Sequence, residues 1–345
     1  MSNYTIAIDA MGGDHAPDAI VQGAILALDR FDDIHIQLYG PTDALKPLIT
    51  AHSDRITLCD APDVIAMDEA PVLAIRRKVN SSMVQGMLAV KENRASAIVS
   101  AGSTGALLAG GMLRIGRIEG IERPALTVVM PGRKKPFVML DCGANVDCQP
   151  SYLSAFGLMG SVYSNKLLGV ADPEVRIVNV GAEDEKGNKL TKSAAECMRE
   201  QNVYRFGGNV EGRDIPEGVC DVVVADGFDG NLLLKYTEGL SSTLFSMIKE
   251  ALTGGGLLSK IGALLIKPTL RTFKKKLSYE EYGGAPLLGV KGIVIKAHGS
   301  SDARAIMNAI GQARTMIISN VVALIEEGAK RLSSPSETNN NQEEV

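Results

Sequence analysis

The stretch TIAIDAMGGDHAPDAIVQGAILAL (5–28) holds the plan of the fold. Its first part, TIAIDA, is short, rich in β-branched residues and apolar on both sides, as a strand covered on both faces must be. Gly12, Gly13, Asp14, His15 and Pro17 then break the run. In DAIVQGAILAL, Ile20, Ala24 and Leu28 fall on one helical face with Val21 and Ile25 beside it, and Asp18 is expected as the cap. This is a strand–turn–helix unit. It recurs at IHIQLYG (34–40), RITLCDA (55–61), SAIVSAG (96–102), FVMLDCGAN (137–145), VRIVNVG (175–181), DVVVADG (221–227) and GIVIKAHG (292–299). Strands alternating with helices predict an α/β fold of three layers around a mainly parallel sheet.

In such folds ligands bind beyond the carboxyl ends of the strands. Those ends here read DAMGGD, SAGSTGA, DCGAN, NVGAE, DGFDGN and AHGSS. Any one of them is an ordinary turn with a cap. Six in one chain predict a shared cleft whose glycines expose backbone N–H groups to an anion. Gly12 and Gly13, beside Asp9, and the turn Ser103, Thr104, Gly105 are the expected anion-facing positions, each opening a helix. Asn145 is expected to add a neutral donor. His35, inside a strand run, and His52, in a polar loop, read as structural.

Bulk properties narrow the function. The chain has 345 residues, 45% of them apolar, enough for a sizeable core. Aromatics are 4% with no Trp, and net charge is −4, so nucleic-acid binding is not expected. Five cysteines without a C-x-x-C pair argue against a disulfide framework and fit a reducing cytoplasm. The first residues lack a signal-peptide pattern, and no apolar run reaches ~18 residues. P-loop, G-x-G-x-x-G, G-x-S-x-G and H-E-x-x-H motifs are all absent. The four histidines show no ligand spacing, so neither a metal nor a cofactor is expected. One catalytic body is expected over 1–331, with a disordered polar tail at 332–345.

One segment stands apart. ALTGGGLLSKIGALLIKPTLRTFKKKLSY (251–279) has six basic residues and no acidic one. Leu257, Leu258, Ile261, Leu264 and Leu265 share a helical face. Pro268 is expected to end that helix, and Leu270, Phe273 and Leu277 to resume on a second, with Lys274, Lys275 and Lys276 on its polar side. Two amphipathic helices of this kind suit an anionic membrane surface, or else a dimer or core contact whose lysines snorkel.

Taken in order, DAMGGDHAP, SAGSTGA, DCGAN, NVGAEDEKGN, DVVVADGFDGN, YGGAPLLGVKG and HGSSD resemble the bacterial family of acyl-[acyl carrier protein]:phosphate acyltransferases of phospholipid synthesis, from residue 5 to about 325. The chain departs from that pattern at Ser103, where the family has Asn, and at Cys142, where it has Val. The resemblance implies a fold similar to phosphotransacetylases and to the isocitrate/isopropylmalate dehydrogenase group. It also implies transfer of a long-chain acyl group from carrier protein to inorganic phosphate. A homodimer associated peripherally with the membrane, feeding a membrane glycerol-phosphate acyltransferase, is implied as well.

Attack of phosphate on a thioester needs the phosphate held, the oxyanion stabilised and the thiolate assisted. Lys186 after NVGAE is expected to supply positive charge. Asn231 is expected to donate to the oxyanion or cap its helix, His298 to move a proton, and Asp226 to orient one of them. Arg76, Arg77 and Lys78 form a basic patch suited to an acidic carrier, or simply a solvated face. The alternatives are a short-chain phosphotransacetylase using coenzyme A, an NAD-dependent decarboxylating dehydrogenase, and a non-enzymatic membrane scaffold. The amphipathic segment speaks against the first. The absence of an obvious metal-binding carboxylate cluster speaks against the second, and the polar strand tips against the third.

Overall fold

The computed structural model describes residues 4–254, 256–276 and 283–333. The strands are β1 (Tyr4–Asp9), β2 (Ile34–Gly40), β3 (Ile56–Asp60), β4 (Ala97–Ser100), β5 (Ala125–Leu126), β6 (Val128–Met130), β7 (Phe137–Leu140), β8 (Glu174–Asn179), β9 (Arg205–Glu211), β10 (Val222–Val224), β11 (Ala285–Leu288) and β12 (Ile293–Lys296). The α-helices are α1 (Asp18–Arg30), α2 (Thr42–Leu45), α3 (Pro71–Arg77), α4 (Ser82–Lys91), α5 (Thr104–Gly110), α6 (Pro150–Leu168), α7 (Lys189–Glu200), α8 (Gly227–Thr253), α9 (Leu257–Lys276), α10 (Ala303–Ile318) and α11 (Val321–Ser333).

The expected α/β architecture is present, but it is built on two sheets rather than one. The first runs β3-β2-β1-β4-β12-β11-β5 and the second β6-β7-β10-β8-β9. The first is parallel from β3 to β12, and the second from β7 to β9. β11, β5 and β6 pair antiparallel. A single segment stitches the sheets together. β5 belongs to the first and β6 to the second, and only Thr127 separates them. Thr127 is fully buried and donates its N–H to the Pro286 carbonyl. The sequence reading missed β5, β6, β9 and β11. Three of these are only two to four residues long, and β9 contains Gly207 and Gly208, which weaken any strand signal.

One core joins the sheets. Ile6, Ile8, Ile36 and Leu38 of the first belong to the same buried cluster as Val138, Leu140, Val175 and Val222 of the second, with Phe156 and Tyr163 of α6 between. Burying each such aliphatic side chain contributes about 1.5–3 kcal/mol. Gln312 of α10 crosses this core. Its amide donates to the Tyr163 hydroxyl at 2.5 Å and its carbonyl oxygen accepts from Gly284 N–H at 2.7 Å.

Two local expectations are corrected. Asp18 does not cap α1. The cap position is Pro17, without a side-chain bond, and Asp18 lies in the first turn, where its charge favours the helix dipole. Pro268 does not end a helix, because α9 continues through it. A proline inside a helix costs about 3 kcal/mol. Packing against α8 on both sides of it offsets that cost. Ser259 donates to the Leu252 carbonyl before the proline, and Phe273 meets Phe245 at 6.0 Å after it. The hairpin is therefore α8 against α9. It begins earlier than the expected 251 and includes the whole of α8.

Candidate active site

Within each sheet the parallel strands end along one edge. Those edges meet at a cavity of about 300 Å³ where β5 crosses to β6. Thr104, Lys296, His298 and Ser301 line it from the first sheet, and Gly143, Asn231, Lys235 and Glu238 from the second. Two long helices, α8 from its second turn and α10 from its first, contribute to its wall. Their N-termini carry partial positive charge and suit an anion.

The first-sheet wall is organised from behind by Asp9. Its carboxylate accepts from the Ser82 hydroxyl at 2.5 Å, the Ser100 hydroxyl at 2.6 Å and Met11 N–H at 3.3 Å. Ser100 in turn accepts from Gly102 N–H at 3.0 Å, which fixes the turn leading to Thr104. Asp9 is 2% exposed and does not line the cavity. Burial pushes its carboxyl above the ordinary 3.8, against the pull of Ser100, Ser82, Met11 and Lys296. Asp9 thus acts as a buried strut behind the cavity wall.

Gly12 and Gly13 also have a different task from the expected one. A Cβ on Gly12 would lie 2.6 Å from Gly102 N and from Asp9 Oδ2. Gly13 has φ +103°, and a Cβ there would lie 2.9 Å from Ala101 Cβ. These glycines let the tips of β1, β4 and β12 close on one another, helped by Asp14 N–H to the Gly299 carbonyl at 2.8 Å. They open no helix, since α1 starts only at Asp18, and they do not line the cavity. Ser103 does cap α5, accepting from Ala106 N–H at 3.4 Å, so Thr104 and Gly105 form its first turn.

On the other wall Asp141 takes the part of Asp9. Its oxygens accept from Leu126 N–H (2.9 Å), Ala144 N–H (3.0 Å), Asn145 N–H (2.7 Å) and the Asn145 amide (2.9 Å). Burial raises its pKa to about 6, so it is ionised at neutral pH and receives all four donors. Asn145 gives its second amide hydrogen to the Pro124 carbonyl at 2.8 Å. Both of its amide hydrogens are therefore spent on this turn. Asp226 caps α8 through Asp229 N–H at 2.8 Å, and Gly227 N–H reaches the Asn145 carbonyl at 2.7 Å. These bonds set Asn231 on the cavity wall. It is exposed, and its amide has no hydrogen-bond partner among the described residues. One helical turn further, Lys235 pairs with Glu238 at 2.8 Å.

His298 lines the same cavity. Its Nδ1 accepts from Ser300 N–H at 3.2 Å and meets the Ser300 hydroxyl at 2.8 Å. A backbone N–H can only donate, so the neutral ring carries its proton on Nε2. Lys186 sits apart, exposed on the loop after β8, and does not line the cavity.

Sequence reasoning missed Lys296, Ser301, Lys235 and Glu238. A signal for Lys296 existed, because it is the one charged residue in the apolar run IVIKA. Lys235 and Glu238 follow Asn231 at helical spacing. Outside the site, His35 meets the Thr57 hydroxyl and His52 meets Asp29, both structural contacts.

Two mainly parallel sheets with polar carboxyl ends facing across a cleft form a fold that this chain shares with phosphotransacetylases. A phosphotransacetylase from Streptococcus pyogenes superposes with a TM-score of 0.59 at 17% identity, over 96% of this chain and 95% of that one. A branched-chain phosphotransacylase from Enterococcus faecalis gives 0.54 at 13%, over 91% and 99%. The family model "Fatty acid synthesis protein" matches residues 4–324. A phosphate acyltransferase from Alkaliphilus oremlandii is 51% identical over 330 residues, 95% of this chain and 98% of that one. One from Bacillus subtilis is 49% identical over 326 residues, 94% and 98%. The chain belongs to this phosphate acyltransferase family of fatty acid and phospholipid synthesis, and it is an enzyme.

Proposed function

We propose that the enzyme transfers a long-chain acyl group from an acyl carrier protein thioester to inorganic phosphate. The reading is carried by the meeting of Thr104, Asn231 and His298 around one small cavity in a chain of this family. A phosphate oxygen attacks the thioester carbon, the C–O bond forms, the C–S bond breaks, and the thiolate leaves to take up a proton. Phosphate is already ionised near neutral pH, so holding and aiming it matter more than a strong base. The α5 turn from Ser103 to Gly105 holds it. The free Asn231 amide donates to the tetrahedral oxyanion. His298, with its proton on Nε2, serves the departing sulfur. Lys186, on the loop after β8, would add positive charge only at longer range, and Asp226 acts through the helix start that places Asn231.

The acyl chain and the cell's membrane are the business of the hairpin. Phe228, Leu232, Tyr236, Leu240 and Leu244 form an exposed apolar stripe along α8. Ile261, Leu264 and Leu265 are exposed on α9, Leu265 at 74%. Between the helices lies a cavity of about 640 Å³ with Phe245, Ile248, Leu252 and Leu270 in its lining and Lys249, Lys267 and Arg271 among its cations. Side chains of Leu257, Leu258, Lys274, Lys275 and Lys276 lie outside the described residues, as do Leu277 and the tail from 334. No helix among the described residues is long and apolar enough to cross a membrane. The proposal is a peripheral, homodimeric enzyme in the cytoplasm whose hairpin serves dimer and bilayer surface. Its product feeds a membrane glycerol-phosphate acyltransferase.

The test mixes acyl-carrier thioester with phosphate and reads free thiol and acyl phosphate. Stoichiometric formation of both, dependent on phosphate, is expected. Thiol release without phosphate would identify a thioesterase instead. Replacing Leu264 and Leu265 with Glu should release the protein from anionic vesicles, and unchanged sedimentation with vesicles would remove the membrane role.

A further inference from the structure

We propose that Lys296, at the end of β12, is the cation on which the attacking phosphate seats, an inference that rests on the acyl transfer to phosphate proposed above. Lys296 is 8% exposed, yet it lines the cavity. Its ammonium donates to two neutral acceptors, the Ala101 carbonyl at 3.4 Å and the Ala297 carbonyl. Among the described residues no carboxylate comes within ion-pair distance of it. Buried charges are ordinarily paired, because an unpaired one keeps most of its desolvation cost. The other cavity lysine, Lys235, is exposed and still has a carboxylate partner in Glu238 at 2.8 Å. Lys296 has no such partner among the described residues, and an anion entering the cavity would supply one.

The groups around Lys296 fit that role. Asp9 lies behind it on β1 and Asp14 on the turn after β1, and both favour its charged form. Lys235 on α8 opposes it. Asp9 acts on Lys296 only from a distance, without an ion-pair contact, and its oxygens accept from Ser82, Ser100 and Met11 instead. The α10 N-terminus and the Ser301 hydroxyl flank the lysine on the cavity side, and His298 follows two residues on. A dianion here would touch an ammonium, a helix start and the His298 ring, with Asp9 and Asp14 behind the lysine and the cavity's own carboxylate, Glu238, held by Lys235. Burial lowers the Lys296 pKa to about 8, so the group is charged at neutral pH and a bound phosphate would hold it so.

The experiment has two readouts. In Lys296→Met, kcat/KM for phosphate should fall by about 100-fold, while the KM for the acyl thioester stays within about twofold. In the wild-type protein, an amine-acylating reagent at pH 8 should label Lys296, mapped by peptide mass spectrometry, and inorganic phosphate should protect it in a saturable way. Unaltered phosphate saturation in Lys296→Met, or labelling indifferent to phosphate, overturns the inference. If the wild type shows no phosphate-dependent acyl transfer, the proposed function falls. Phosphate protection, which needs no turnover, then decides the seat by itself.

Discussion

Lys296→Met separates a lysine kept for a ligand from one kept for the fold. Burial lowers the Lys296 pKa from the ordinary 10.5 to about 8, a cost to the folded state of about 3 kcal/mol while the amine is charged. Methionine removes that cost and fills similar space. It also leaves the Ala101 and Ala297 carbonyls without a donor, at about 1 kcal/mol each. The balance is a gain of roughly 1 kcal/mol. With an unfolding entropy of about 2.1 cal/mol/K per residue, Tm rises by only about 1–2 °C. The pH dependence gives the sign independently. Below pH 8 the wild type bears the full cost. Between 8 and 10.5 the folded amine is neutral while the unfolded one still binds a proton, so wild-type stability rises with pH. The variant's advantage should therefore be largest below pH 8, vanish near pH 9 and become a deficit of about 2 kcal/mol by 10.5, where only the two lost carbonyl bonds remain. Calorimetry across pH 6–10 reads this directly. A lysine pairing with a buried carboxylate would behave oppositely, losing about 3–5 kcal/mol on removal. A fall in Tm of several degrees at pH 7 would falsify the account of an uncompensated cation.

Other substitutions test the remaining parts. Asn231→Ala should lower kcat by about 10²–10³ with Tm nearly unchanged, because the amide is exposed and makes no bond among the described residues; an equal loss of stability would make it a structural residue. Gly13→Ala should lower stability by about 2 kcal/mol, from the positive φ and the contact with Ala101, as read by denaturant melts. A fully stable protein with only its phosphate KM changed would restore the anion-facing role. Asp226→Ala should cost about 1 kcal/mol through the lost α8 cap. Its activity should fall because Asn231 moves, and Asp226→Ser should recover both stability and activity.

The carboxyl-end turns were legible because strands and glycine turns are local. IAID, AIVS and VVV become buried strands wherever helices cover both faces, and cavity-lining residues then collect at their ends. Hence Thr104, Asn231 and His298 could be named from the chain alone. Which tip residues face the cavity could not. Asp9 and Lys296 both end strands of the first sheet, yet one turns back to Ser82 and Ser100 while the other opens on the cavity. Asn145 looked like a free amide until Pro124 and Asp141 took both its hydrogens.

By itself the sequence determined the alternation of strand and helix, the family and the shared edge of polar turns. The alternation and the turns follow from the chemistry of neighbouring residues, and the family from the resemblance of its ordered motifs. Only the tertiary structure decided that there are two sheets, that Thr127 carries the chain between them, and that Lys296 has no ion-pair partner among the described residues. Those depend on contacts between residues far apart in the chain. The same holds for Pro268, which reads locally as a break but stays helical because α8 packs on both sides of it.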